Sequence, residues 1–146
     1  MKKLLCISLI LLATFSCLTA CNFTQNVSGA LAGELEATPK VEELLTALAE
    51  KRISDAKAYI HPQKAEQSDV SIAQMSNYIS GRKASAIEPE SINVNTSTGT
   101  SGKIRQEQVI YRVTLNDGDA IYLNVVYLSN NTGTGFASFQ LVLGIV

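Results

Sequence analysis

The feature that most constrains this chain is the strict alternation that sets in beyond Ala86. From Gln108 to Leu115 every second residue is apolar, as Val109, Tyr111, Val113 and Leu115, and the same period returns between Ala120 and Leu128 as Ile121, Leu123, Val125 and Tyr127. A period of two places those residues on one face of a strand. Between the two runs lies Asn116-Asp117-Gly118-Asp119, a hairpin signal, because Asp-Gly accepts the positive φ angles of tight turns. A second turn-rich run, Ser129 to Gly135, leads into Phe136 to Val146, predicted as a last long strand with Phe139, Leu141, Leu143 and Ile145 on one side. Ser91 to Asn95 is predicted as a shorter strand that ends in the turn residues Ser97 to Gly102.

A meander of this kind has an apolar face that must be covered, and the residues before it supply the cover. Thr38-Pro39 reads as an N-cap followed by Pro in the first helical position. Val41, Leu44, Leu45 and Leu48 then fall at helical spacing, with Glu42, Glu43, Glu50 and Lys51 facing away. Lys51-Arg52 is expected to close this helix. A second helix is expected from Ser54, with Ala56, Tyr59 and Ile60 inward, until Pro62 stops it. A third is expected over Ile72 to Ile79. Helices followed by an antiparallel meander define an α+β domain.

The beginning of the chain has a different character. Met1-Lys2-Lys3 is positive, Leu4 to Phe15 carries no charge, and Leu18-Thr19-Ala20-Cys21 follows. That pattern resembles a bacterial lipobox: a signal peptide over 1–20 would be removed and Cys21 would receive a diacylglycerol, with palmitate among its acyl chains. The apolar run is too short to be a comfortable membrane span. Two or more acyl chains, at about 0.8 kcal/mol per buried methylene, hold a protein on a bilayer. Asn22 follows the cysteine, so the Asp that retains some lipoproteins in the inner membrane is missing, and the expected location is extracytoplasmic, on the cell membrane or outer membrane. Residues 21–38, small and polar, read as a lipidated tether of about 20–25 Å mean reach. The folded domain is then expected over 39–146.

Composition narrows the chemistry. Twelve Lys and Arg against thirteen Asp and Glu leave no basic stripe for nucleic acid. Cys6 and Cys17 fall in the leader and Cys21 is consumed by acylation, so the domain would have no thiol for disulfides, zinc or nucleophilic catalysis. His61 is the only imidazole and is expected as a polar residue at a helix end rather than as part of a metal site. Gly99-Thr100-Ser101-Gly102 lacks the Lys and the following helix of a phosphate loop. No cofactor is implied.

The segment Leu44-Leu45-Thr46-Ala47-Leu48-Ala49-Glu50-Lys51-Arg52-Ile53-Ser54-Asp55-Ala56-Lys57-Ala58-Tyr59-Ile60-His61-Pro62, with its Ala-x-x-Tyr-x-x-Pro ending, is followed by long strands. This order resembles the nuclear transport factor 2-like superfamily, and more narrowly its small bacterial lipoproteins. The resemblance implies a curved sheet wrapped around a helix, a cone whose open end takes small ligands, mediates dimerisation or, in some members, catalyses.

On that expectation a pocket would draw on Tyr59, Tyr111, Tyr122 and Arg112, although Arg112, opposite Tyr111 in register, is expected to face solvent. The leading expectation is a non-catalytic envelope lipoprotein that binds a protein or small molecule. An alternative is a small-molecule isomerase or dehydratase using a Tyr and a carboxylate such as Asp55 in the cone. Another is a homodimer joined through Ile110, Tyr122, Val126 and Leu128 on the outer sheet face.

Overall fold

The computed structural model describes residues 23–26, 34–100 and 102–142. Leu18, Thr19, Ala20 and Cys21, with the rest of the leader, lie outside the described residues. The element order is β1 (Phe23–Asn26), α1 (Ala37–Ala49), α2 (Ile53–Ala58), a 3-10 helix (Pro62–Gln67), α3 (Asp69–Ile79), β2 (Ala84–Gly99), β3 (Gly102–Leu115), β4 (Ala120–Asn130) and β5 (Gly133–Val142). The strands form one antiparallel sheet in chain order. The class is α+β, helices first and then a curved sheet.

The core lies between the helices and one face of the sheet. Val41, Leu44 and Leu48 of α1 and Ile72 and Ile79 of α3 pack into one cluster with Val109, Tyr111 and Val113 of β3 and Leu123 and Val125 of β4, all essentially inaccessible. These are the residues that the periods of four and two select. Register shifts at Ala84/Ala86, Pro89/Ser91 and Val126/Tyr127 are where bulges bend the sheet.

Several boundaries differ from expectation. Phe23–Asn26 pairs with Asn93–Thr96, so the segment 21–38 is not tether throughout, and Leu35 and Ala37 are already buried. The strand expected over Ser91–Asn95 runs from Ala84 to Gly99, and its partner starts at Gly102 rather than Gln108. The tip of this hairpin, Ser97–Thr98–Gly99 against Gly102–Lys103–Ile104, is exposed on both faces. No buried side exists there to impose alternation, and the backbone ladder alone carries the pairing. Pro89 is tolerated inside β2 because it borders a register shift and lies beyond the stretch that β1 covers.

Candidate functional site

The start of α1 is held at a polar junction built on β3. Glu107, 1% exposed, points to the helix side of the sheet and meets the start of α1. Its carboxylate accepts the backbone N–H of Ala37 at 2.9 Å and that of Glu36 at 3.2 Å. Helix starts carry unsatisfied N–H groups and partial positive charge, so a carboxylate is the fitting partner. Thr38 was expected to cap this helix; it lies instead one residue inside, and its hydroxyl is 3.0 Å from that of Tyr111. The cap comes from seventy residues away.

A buried carboxylate also needs a countercharge. Arg105, two residues back on the same strand face, supplies it from 2.7 and 2.8 Å, and its Nη2 donates to the carbonyl of Glu34 at 3.2 Å. Arg105 and Glu107 thus grip Glu34–Ala37 from both backbone polarities. Nearby, burial pushes the Tyr111 phenol up to about 12; the hydrogen bond with Thr38 opposes this shift and the Glu107 charge adds to it.

A second buried polar group, His61, sits two strands over along the same row of the sheet, where Glu107 pairs with Tyr127 and Tyr127 with Phe136. His61 was expected to finish a helix; it instead caps the 3-10 helix that Pro62 begins. Its Nδ1 accepts the Gln63 N–H at 3.2 Å, which leaves Nε2 to donate to Asn130 Oδ1 at 3.2 Å. The same Asn130 oxygen accepts the N–H and hydroxyl of Thr132. Both ring nitrogens are therefore committed to structure. Beside it, where the chain leaves α2, Ile60 forms a single parallel bridge to Phe136: the Phe136 N–H donates to Tyr59 O at 2.8 Å and the His61 N–H to Phe136 O at 3.0 Å.

The four residues expected around one pocket are not brought together. Tyr111 is fully buried in the core. Tyr59 is half-buried beside α1, its ring 5.8 Å from Lys40 Nζ. Arg112 and Tyr122 are register neighbours on the opposite sheet face, with Arg112 exposed as expected and 3.7 Å from Glu88. Ile110, Tyr122, Val126 and Leu128 share that outer face, but each is half-buried and they are interleaved with Gln108 and Asn124. Among the described residues none of the four is fully exposed. Asp55 is exposed and paired with Arg52.

Open space lies instead along β5, the edge strand. One hollow of about 180 Å³ is bounded by Ile60, Lys64, Ser68, Phe136 and Ser138. A second of about 340 Å³ lies between Gln74 and Met75 of α3 and Leu141 of β5. Ser71, Phe139 and Gln140 border both. Alternation flags Phe139 and Leu141 as strand residues but carries no sign of this groove, which depends on how α3 docks. Glu107 as a cap escapes sequence reading for the same reason, although an acid at an inward position of an alternating strand is a usable signal. No protein-family model, curated protein or solved structure matches the chain.

Proposed function

We propose that the chain is a cell-envelope lipoprotein, processed before Cys21 and anchored there by a diacylglycerol, whose domain from Leu35 onward is a non-catalytic binding module. The observation that carries this reading is the grip of Arg105 and Glu107 on Glu34–Ala37. A domain held by its N-terminus takes load where the tether enters. Here β1 already pairs with β2 just after Cys21, and the junction then ties the segment leading into α1 to β3, flanked by β2 and β4 in the sheet, so that α1 is not held by its own end alone. The helices-then-meander order supports a nuclear transport factor 2-like cone. The interior is filled by core side chains, and the buried Glu107, Tyr111 and His61 are each bonded to structural partners, which favours binding over catalysis.

The test is the intact mass of the protein extracted from its host membrane with detergent. The expected species starts at Cys21 and carries a diacylglycerol, and Cys21→Ser loses the lipid. A mature chain that starts elsewhere, or an unmodified Cys21, would overturn the reading.

A further inference from the structure

We propose that the edge of β5 from Ala137 to Leu141, which pairs with no strand among the described residues other than β4, binds an extended polypeptide segment as an added strand, with its side chains entering the hollows beside α3. The proposal deepens the reading of the domain as a binding module by naming the class of partner. It does not depend on the lipid.

Four observations converge. Edge strands expose unpaired N–H and C=O groups, and proteins ordinarily blunt them with charge or proline. Gly133–Val142, last in the sheet order, has neither in Gly-Thr-Gly-Phe-Ala-Ser-Phe-Gln-Leu-Val. By contrast β2, where it runs beyond β1, carries Glu88, Pro89 and Glu90. The edge is thus left competent to pair.

The edge already pairs with backbone at one residue. Ile60 bridges Phe136 in parallel, and both backbone groups of Phe136 are taken by Tyr59 O and His61 N–H; the first hollow opens where the chain turns away at Pro62, with Ile60 and Phe136 in its wall. The groove then follows β5 as far as Leu141. Backbone pairing of the strand type is therefore in use at the start of this edge, and an added strand would continue it.

Size and polarity point the same way. The first hollow, about 180 Å³, falls below the range of about 300–1,000 Å³ usual for small-molecule pockets, and the second, about 340 Å³, lies at its low end; the two follow one another along β5, where successive side chains of an added strand would reach them. Ser68, Ser71, Gln74 and Gln140 provide neutral hydrogen-bonding walls around Phe139 and Met75, and among the described residues Lys64 is the one charged residue in the lining. The favoured peptide alternates apolar and neutral polar residues. A second copy pairing antiparallel through its own β5 would bring its α3 to the same side of the joined sheet, against the first copy's α3 above the hollows, so a separate peptide is the better fit.

The detergent-solubilised full chain would be used to select binders from a displayed random-peptide library. Selected peptides would then be synthesised with backbone N-methylation at one alternate set of residues or the other, and binding followed by fluorescence anisotropy. Strand addition predicts that one N-methylated set weakens binding about tenfold or more and the other leaves it intact, since only alternate amides face the edge. Ser71→Trp, which fills the groove from α3, should weaken binding to a similar degree, and Gln140→Lys provides a second variant should Ser71→Trp fold poorly. Arg112→Ala, on the opposite sheet face, should have no effect. Selection of no binder, indifference to N-methylation, or sensitivity to Arg112→Ala alone would overturn the proposal, as would a stable dimer cross-linked through Gln140→Cys. Intact mass taken on the same preparation separates a failure of lipid anchoring from a failure of the groove.

Discussion

The Glu107 carboxylate stands 2.9 Å from the backbone nitrogen of Ala37 and completes, from the third strand, the first turn of a helix seventy residues earlier in the chain. This one contact couples local helix stability to tertiary docking, because α1 has no side-chain cap of its own. Removing one member of a buried ion pair typically costs about 3–5 kcal/mol, and the orphaned N–H groups add to that. Glu107→Ala is therefore expected to lose several kcal/mol in urea denaturation. Glu107→Gln, which keeps a carbonyl acceptor, should lose about half as much. In both variants amide exchange should rise first at Glu36 and Ala37. Uniform exchange across α1 and the sheet would mean that the junction is not a local clasp.

Tyr111 gives the fold a signature in alkali. Its phenol is raised to about 12 in the folded protein, against an ordinary value near 10. The neutral form is thus favoured by folding. Its contribution is fully present below pH 10 and is lost as pH rises toward 12, about 2–3 kcal/mol for a shift of this size. Stability measured by denaturant titration should fall over that window, and the fall should be shallower in Tyr111→Phe. An ultraviolet titration of the native protein should show Tyr111 ionising only near pH 12 or with unfolding. A Tyr111 that ionises near 10 without loss of structure would contradict its placement.

How far each element could be read in advance follows from what fixes it. Val41, Leu44, Leu45 and Leu48 announce α1, and Val109 to Leu115 announce β3, because one buried face imposes a period. The tip of the β2–β3 hairpin, Ser97–Gly99 against Gly102–Ile104, has no such face and stays silent. Caps were misjudged wherever the partner is distant: Thr38 is a plausible cap by type, but Glu107 reaches the free N–H groups first. Tyr59, Tyr111, Tyr122 and Arg112 were grouped by chemistry, and the strict alternation that separates Tyr111 from Arg112 and Tyr122 was the stronger guide. The groove along β5 had no signal at all, since it arises from the angle between α3 and an edge.

Lys51 offers a test in the stabilising direction. At the end of α1 the Arg52 N–H donates to Ala47 O at 2.8 Å and the Lys51 N–H to Leu48 O at 3.1 Å, the paired bonds of a Schellman ending. Lys51 occupies its left-handed position at φ 57°, where glycine is usual. The expectation that Lys51 simply completes the helix gives way to this turn, which redirects the chain into α2. Because the side chain is exposed, Lys51→Gly relieves strain without removing packing and should stabilise by up to about 1 kcal/mol. Lys51→Val should destabilise. A matched pair of thermal melts decides the matter, and a loss of stability with glycine would show that Lys51 makes a contact worth more than its strain.

Gly135 is the position where the backbone of Tyr59–His61 comes up against β5, and it has no room for a side chain. A Cβ there would lie 2.6 Å from the His61 nitrogen and 2.7 Å from the Tyr59 oxygen, both backbone atoms that cannot rotate aside. Gly135→Ala must push the segment off the strand, breaking the two hydrogen bonds with Phe136 and displacing His61 from Asn130. Overpacking of about 1–3 kcal/mol combined with two lost hydrogen bonds of about 1 kcal/mol each predicts a total near 3–5 kcal/mol by denaturant titration. The same displacement moves Ile60, which walls the first hollow, so peptide binding at the β5 edge should weaken even under conditions where Gly135→Ala remains folded. Gly118→Ala controls for the loss of glycine itself, because its Cβ meets nothing within 4 Å and only its positive φ of 91° opposes the change. It should cost less, and it should leave the exchange of the His61 and Phe136 amides untouched.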